Sequence, residues 1–131
     1  MANKQETATE IVDKLINIFK HLPFFLKPGT LKWGATALKL DNGSRIVSSA
    51  TTESTSIGFT VDILYLDEFA HIGTNIVDNF WRSVYPTLSS LKSSQCIITS
   101  TPNGVGNKFY ELWDGATKKK NTFTPIKVYW W

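Results

Sequence analysis

The sequence predicts an α/β fold: a three-layer, parallel-sheet core between helices, with a β-hairpin inserted ahead of it. Three observations carry this reading. From residue 61 onward the apolar pattern runs strand, helix, strand, helix, strand, and right-handed crossovers between such strands make the sheet parallel. The stretch Val61-Asp-Ile-Leu-Tyr-Leu-Asp-Glu68 is nearly continuous in apolar residues, as a central strand buried on both faces is, and it ends in two adjacent carboxylates. Upstream, Asp41-Asn-Gly43 separates two short runs, residues 36–40 and 44–48, and Asn-Gly tolerates the positive φ angles of a tight hairpin turn.

The elements follow in chain order. Thr7-Ala-Thr-Glu10 has the form of a capping box, with Ile11, Leu15, Ile18, Phe19 and Leu22 at helical spacing behind it. A helix is therefore predicted from about residue 7 to His21, stopped by Pro23. Pro28-Gly29 marks a turn before the hairpin, and residues 49–58, rich in Ser and Thr, form a polar loop leading to the acid-tipped strand. Thr74 is placed to cap a helix carrying Ile76, Val77, Phe80, Trp81, Val84 and Leu88, with Pro86 near its end. Residues 95–100 form a second buried strand, and Thr101-Pro-Asn-Gly-Val-Gly106 is the loop at its end. Phe109, Leu112 and Trp113 give the next helix one apolar face until Gly115, and residues 124–131 are a last strand.

A chain of 131 residues, 42% apolar and 19% charged, has the size and composition of one globular domain, residues 1–131. The net charge of +3 and pI near 9.0 are mildly basic, but apart from Lys118-Lys119-Lys120 the cations are scattered, and that run reads as a solvated helix end. Cys96 is the single cysteine, so no intrachain disulfide or cysteine metal cluster is available, and its apolar setting makes it a buried, inert thiol. Nothing resembles a signal peptide, and no apolar run approaches the roughly 20 residues that span a bilayer, so a soluble, intracellular protein without membrane contact is expected.

The chemistry gathers at one edge. In a parallel sheet the ligand side lies beyond the strand C-termini, which brings Asp67 and Glu68 beside the Thr99-Ser100-Thr101 loop. An apolar strand ending in Asp-Glu has the form of the second half of a nucleotide-hydrolysing site, the Asp holding Mg²⁺ and the Glu polarising the attacking water. The plainer reading makes Asp67 a cap and Glu68 a solvated loop acid. The three hydroxyls on the neighbouring strand, placed to sense a γ-phosphate and pass the change to the helix at Asn107, favour the functional one. His71 follows the acids closely, but with no second His nearby it reads as a loop histidine bonded to backbone. Phe19, Phe80, Trp81, Phe109 and Trp113 sit at helical core spacing and read as packing.

In order and spacing, Ile63-Leu-Tyr-Leu-Asp-Glu68, Trp81, Tyr85-Pro86, Ile97-Ile-Thr-Ser-Thr-Pro-Asn-Gly104 and Phe109-Tyr110-xx-Trp113 resemble the large terminase subunits of tailed bacteriophages, the ATP-driven motors that package DNA into capsids. The first helix with Ala2-Asn3-Lys4, Leu22-Pro-x-Phe-x-x-Pro28-Gly29, the Leu40-Asp-Asn-Gly-Ser44 turn and Tyr129-Trp130 extend the resemblance to both ends. It implies a P-loop-type NTPase core in which Asp67 is the Walker B magnesium acid, Glu68 the catalytic carboxylate and Thr99-Ser100-Thr101 the coupling motif. It implies Mg²⁺ and ATP as cofactors of the complete domain. Double-stranded DNA, a portal protein and a small terminase subunit are the implied partners, in the cytoplasm of the bacterial host.

The departures are as informative. No G-x-x-x-x-G-K-[ST] occurs in the sequence; Gly104-Val-Gly-Asn-Lys108 lacks its spacing and its lysine-adjacent hydroxyl. The adenine-contacting segment and the nuclease domain of the family are absent too, and Ile57 stands where many relatives carry an Arg. The chain therefore reads as a partial ATPase domain, expected to bind neither ATP nor Mg²⁺ tightly and to be inactive alone. Trp130-Trp131 at a cut end would leave an apolar patch and favour self-association. A non-catalytic docking module for DNA or a packaging partner is the alternative, and a helicase-type ATPase fits the Ser-Thr-Pro-Asn-Gly loop less well.

Overall fold

The computed structural model describes residues 1–2, 4–51, 61–89 and 93–129. The polar loop beyond Thr51, with Ile57, and the Trp130-Trp131 end lie outside the described residues. The order is α1 (Gln5–His21), β1 (Thr30–Trp33), β2 (Ala37–Leu40), β3 (Arg45–Val47), β4 (Ile63–Leu66), α2 (Thr74–Ser89), β5 (Gln95–Ile98) and α3 (Lys108–Thr117). Single 3-10 turns follow α1 at Phe24–Leu26 and β4 at Phe69–His71.

Strands β4 and β5 pair in parallel, Ile63 with Gln95 through Leu66 with Ile98, as the crossover through α2 requires. The other edge of β4 is taken by the start of the chain. Asp67 N–H donates to Met1 O at 2.9 Å and the Met1 amino group donates to Tyr65 O at 2.6 Å, the pattern of a parallel bridge, while Ala2 bridges Ala50. β4 is thus central in its hydrogen bonding. It is not buried on both faces: Leu64 and Leu66 are buried, whereas Ile63 is 62% and Tyr65 38% exposed, and Ile97 of β5 is also exposed. The continuous apolar run conceals an ordinary period-2 alternation, because α2 and α3 cover only the side that Leu64 and Leu66 face.

That side holds the main core, in which Leu64, Leu66, Phe69, Ile72, Val77, Phe80, Val84 and Leu88 are packed together. Its α2 members recur at three- and four-residue intervals, the stripe that turns a helix toward a sheet. Trp81 packs on Phe69, Tyr85 and Phe123, and Phe109 on Trp113, so these aromatics serve packing as their spacing indicates. Cys96 is half-buried, and burial pushes its thiol up to about 11, in keeping with an inert residue.

The second sheet has three antiparallel strands, β1-β2-β3, one more than the predicted hairpin. Gly43 adopts φ 86° in the tight turn, where Leu40 N–H donates to Ser44 O and Gly43 N–H to Leu40 O. Leu38 and Leu40 point inward, and α1 meets this sheet through an edge-on contact of Phe19 with Trp33 and through Ser48 Oγ donating to Ala8 O at 2.7 Å.

Two further expectations are corrected. α1 starts at Gln5 with Lys4 in the cap position and no side-chain cap, so the Thr7–Glu10 capping box does not form; Glu10 instead pairs with Lys14 at 2.9 Å, one turn on. Residues 124–129 are not a strand: Ile126 and Val128 are exposed, and no described strand pairs with them. A β-rich composition makes no strand without a ladder partner.

Candidate functional site

Every group singled out at the sheet edge is brought to it by β4, β5 and the loops that leave them. The β4–β5 register, continued one step past Leu66 and Ile98, sets Asp67 beside Thr99. Thr99 Oγ1 lies 2.9 Å from Asp67 Oδ1 and 2.9 Å from the Tyr65 hydroxyl. A hydroxyl has one proton and a carboxylate only accepts, so Thr99 donates to Asp67 and the Tyr65 hydroxyl is left to donate to Thr99. Glu68 N–H donates to Oδ1 as well, at 3.1 Å. Both hydrogen bonds fall on Oδ1, and Oδ2 takes no donor among the hydrogen bonds of the described residues.

Glu68 is turned by its own backbone. On an extended strand adjacent side chains point to opposite faces, but Glu68 adopts φ 51°, ψ 37°, a left-handed conformation that costs a non-glycine residue about 1–2 kcal/mol. The turn carries Glu68 round to the open edge, where it lines a cleft of about 410 Å³ with Lys4, Thr7, His71 and Thr101. Left-handed strain in a charged residue at a sheet edge is a common mark of a functional position.

The turn after Glu68 is held by the loop from Thr99 to Asn103. Phe69 N–H donates to Thr99 O at 3.3 Å, Ala70 N–H to Ser100 Oγ at 3.0 Å, and Asn103 Nδ2 to Ala70 O at 3.0 Å. Ser100 Oγ donates in turn to Thr101 O. The His71 ring nitrogen Nε2 lies 3.0 Å from Thr101 Oγ1, so its partner is a side-chain hydroxyl and not the backbone group read from the sequence. Asn107 Nδ2 donates to Asn103 O, and its Oδ1 caps α3 by accepting from Tyr110 N–H at 2.9 Å. A continuous set of hydrogen bonds therefore runs from the Glu68 turn to the start of α3.

Charge at the site comes from the two acids, from Lys4 on the cleft and from the Met1 amino group. The Met1 amino group is held below its ordinary pKa by burial, against the opposing pull of Asp67. No cluster of three or more His, Cys, Asp or Glu that could hold a metal occurs among the described residues. Mg²⁺ does not need one: it keeps several waters and is typically held by one or two carboxylates together with substrate phosphates, and Asp67 and Glu68 with the Thr99 hydroxyl are such hard oxygen donors.

Tyr65 and Asn103 were not marked as site residues in the sequence. Tyr65 had a readable signal, because residues i and i+2 share a strand face and Tyr65 and Asp67 must therefore lie together. Asn103 had none, since its contact with Ala70 depends on how two loops meet.

One comparison with known proteins bears on this edge. The family model described as terminase large subunit, T4likevirus-type, N-terminal, matches residues 1–129. With nearly the whole chain matched, the chain belongs to that family, whose role is in packaging phage DNA. No helix among the described residues is long and apolar enough to cross a membrane.

Proposed function

We propose that this member of the terminase large-subunit family supplies the acidic half of the ATP-hydrolysing site of a DNA-packaging motor, built on a P-loop-type core. The observation that carries the reading is the convergence of both acids on one edge: Asp67 is fixed by Thr99 across the parallel pair, and Glu68 is swung to the same edge by a left-handed backbone. Asp67, through the Oδ2 that takes no donor among the described residues, would hold Mg²⁺ in company with ATP phosphates. Bound there, the ion would supply charge neutralisation to the phosphates. Glu68 is exposed at the cleft and placed to orient a water and accept its proton. Thr99 and Ser100 tie that edge to the turn bearing Glu68, and Asn103 with Asn107 extends the tie to α3, a route by which a change at the phosphates would reach a helix.

In this reading double-stranded DNA is the translocated substrate, and a portal protein and a small terminase subunit are the packaging partners. The 131-residue chain by itself turns over no ATP, because its sequence contains no G-x-x-x-x-G-K-[ST] to cradle phosphates. Mg²⁺-dependent hydrolysis by the isolated chain, abolished by Glu68→Gln, would overturn that statement. The assignment of Asp67 is tested separately by adding Mn²⁺ and following amide resonances. Paramagnetic broadening should centre on residues 66–69 and 99–101 and disappear in Asp67→Asn; broadening that survives that substitution removes Asp67 from the role.

A further inference from the structure

The two hydrogen bonds on Asp67 Oδ1 differ in how firmly their donors are held. Glu68 N–H is fixed by the backbone of the turn, whereas the Thr99 hydroxyl is a rotor with one proton and a choice of acceptors. Thr99 Oγ1 lies 2.9 Å from Asp67 Oδ1 and 3.4 Å from Leu66 O. Its proton can turn to either of them or to water. Tyr65 narrows that choice: its hydroxyl lies 2.9 Å from Thr99 Oγ1, on the side of the rotor that must accept. A phenol donating there holds Oγ1 between itself and the carboxylate, and hydrogen bonds in such a chain strengthen one another. The strand supplies the geometry, because Tyr65 and Asp67 are two residues apart and so share a face. On that face Ile63, and Ile97 directly opposite Tyr65, are exposed and carry no polar group. The hydroxyl is therefore what Tyr65 adds to an otherwise apolar row.

We propose that Tyr65 is a positioning residue of the acidic edge: acting through Thr99, its hydroxyl holds the Asp67 carboxylate with Oδ1 engaged, so that Oδ2 is the oxygen left for a ligand. The value of that orientation rests on the reading of Asp67 as the metal-holding acid, while the orientation itself rests on the hydrogen bonds alone. Groups that orient a metal ligand without touching the metal commonly change its affinity when removed. Tyr65 stands one hydrogen bond further out than Thr99, and it is 38% exposed, so its effect is the smaller of the two.

The first test uses the metal-free 131-residue chain. Three-bond couplings to the Thr99 methyl carbon and to the Asp67 β protons report their χ1 rotamers. Both residues should hold one rotamer in the native chain and average between rotamers in Tyr65→Phe, which keeps the ring and deletes only the hydroxyl. The second test adds Mn²⁺ and follows the broadening of residues 66–69. Its midpoint should move to about two- to tenfold higher Mn²⁺ in Tyr65→Phe, the worth of one neutral hydrogen bond. It should move at least as far in Thr99→Val, and adding Tyr65→Phe to Thr99→Val should move it no further, because the phenol acts only through the Thr99 hydroxyl. Thr99→Ser, which keeps that hydroxyl, should restore the effect of Tyr65→Phe. A merely structural Tyr65 would shift the midpoint equally in all three backgrounds. The proposal is overturned if Thr99 and Asp67 keep their single rotamers in Tyr65→Phe, or if Tyr65→Phe costs as much in Thr99→Val as in the native chain. Broadening that is absent from residues 66–69, or that survives Asp67→Asn, removes the metal-holding reading instead, and the metal-free rotamers then decide the role of Tyr65 by themselves.

Discussion

The parallel pair β4–β5 and the antiparallel sheet β1–β3 place their polar residues differently. At the end of the parallel pair the polar groups are tied to one another: Tyr65 to Thr99, Thr99 to Asp67, Ser100 and Asn103 to the turn after Glu68. On the antiparallel sheet Lys32, Lys39 and Arg45 stand in a row of like charge. The first arrangement fixes geometry at an edge, as a site for a small charged ligand requires. The second sets like charges side by side on an exposed face. One domain can hold both because its core and its charged face are built on different sheets.

The comparison depends first on the core under β4 and β5. Phe80 is fully buried there, packed in the cluster with Leu64 and Leu66. Phe80→Ala should lower the unfolding free energy by about 3–5 kcal/mol in urea denaturation. A cost below about 1 kcal/mol would mean that this cluster does not hold the acid-bearing strand in place.

Cys96 probes the same sheet by pH. Its thiol is raised from 9.0 to about 11 by burial, so the folded state keeps a proton that the unfolded state loses. Stability should be full below about pH 9 and fall between about pH 9 and 11, by up to about 2 kcal/mol once partial exposure is discounted. Cys96→Ala should remove that alkaline loss. An equal loss in the variant would assign it to other groups.

Glu68 tests whether the edge carries strain. Its φ of 51° suits glycine, so Glu68→Gly should relieve the left-handed conformation and raise stability by up to about 1 kcal/mol after the greater flexibility of the unfolded glycine is counted. The same substitution deletes the carboxylate proposed to orient water. A drop in stability would show that the Glu68 side chain supports the fold.

These positions also show what the sequence could and could not reveal. Asp67, Glu68, the Gly43 turn and the stripe from Val77 to Leu88 were readable because each rests on local spacing. β1 was not, because a bulge between Thr30 and Lys32 breaks its alternation and leaves no period-2 signal. Residues 124–129 have the composition of a strand but no described partner, and composition cannot supply one. The one-sided burial of β4 was hidden because Ile63 and Tyr65 are as apolar as Leu64 and Leu66. The parallel strand order is enough to set the acids beside the Thr99-Ser100-Thr101 loop, but not to give the individual contacts: the Thr99–Asp67 hydrogen bond needs the β4–β5 register, and the Asn103 contact needs two loops to meet.

The smallest effect bears most directly on the difference between the two sheets. Lys39 is flanked by Lys32 and Arg45, so Lys39→Thr removes both opposed like-charge pairs and introduces a residue that favours strands. Stability should rise by about 0.2–1 kcal/mol. If relief of repulsion is the cause, the gain shrinks as salt is raised toward ~1 M, where charges are screened within about 3 Å, whereas a gain from strand preference does not change. A salt-independent gain would mean that the row bears no electrostatic cost and would remove the contrast with the tied polar groups at Asp67. A salt-dependent gain means that Lys39 carries an electrostatic cost between its two cationic neighbours.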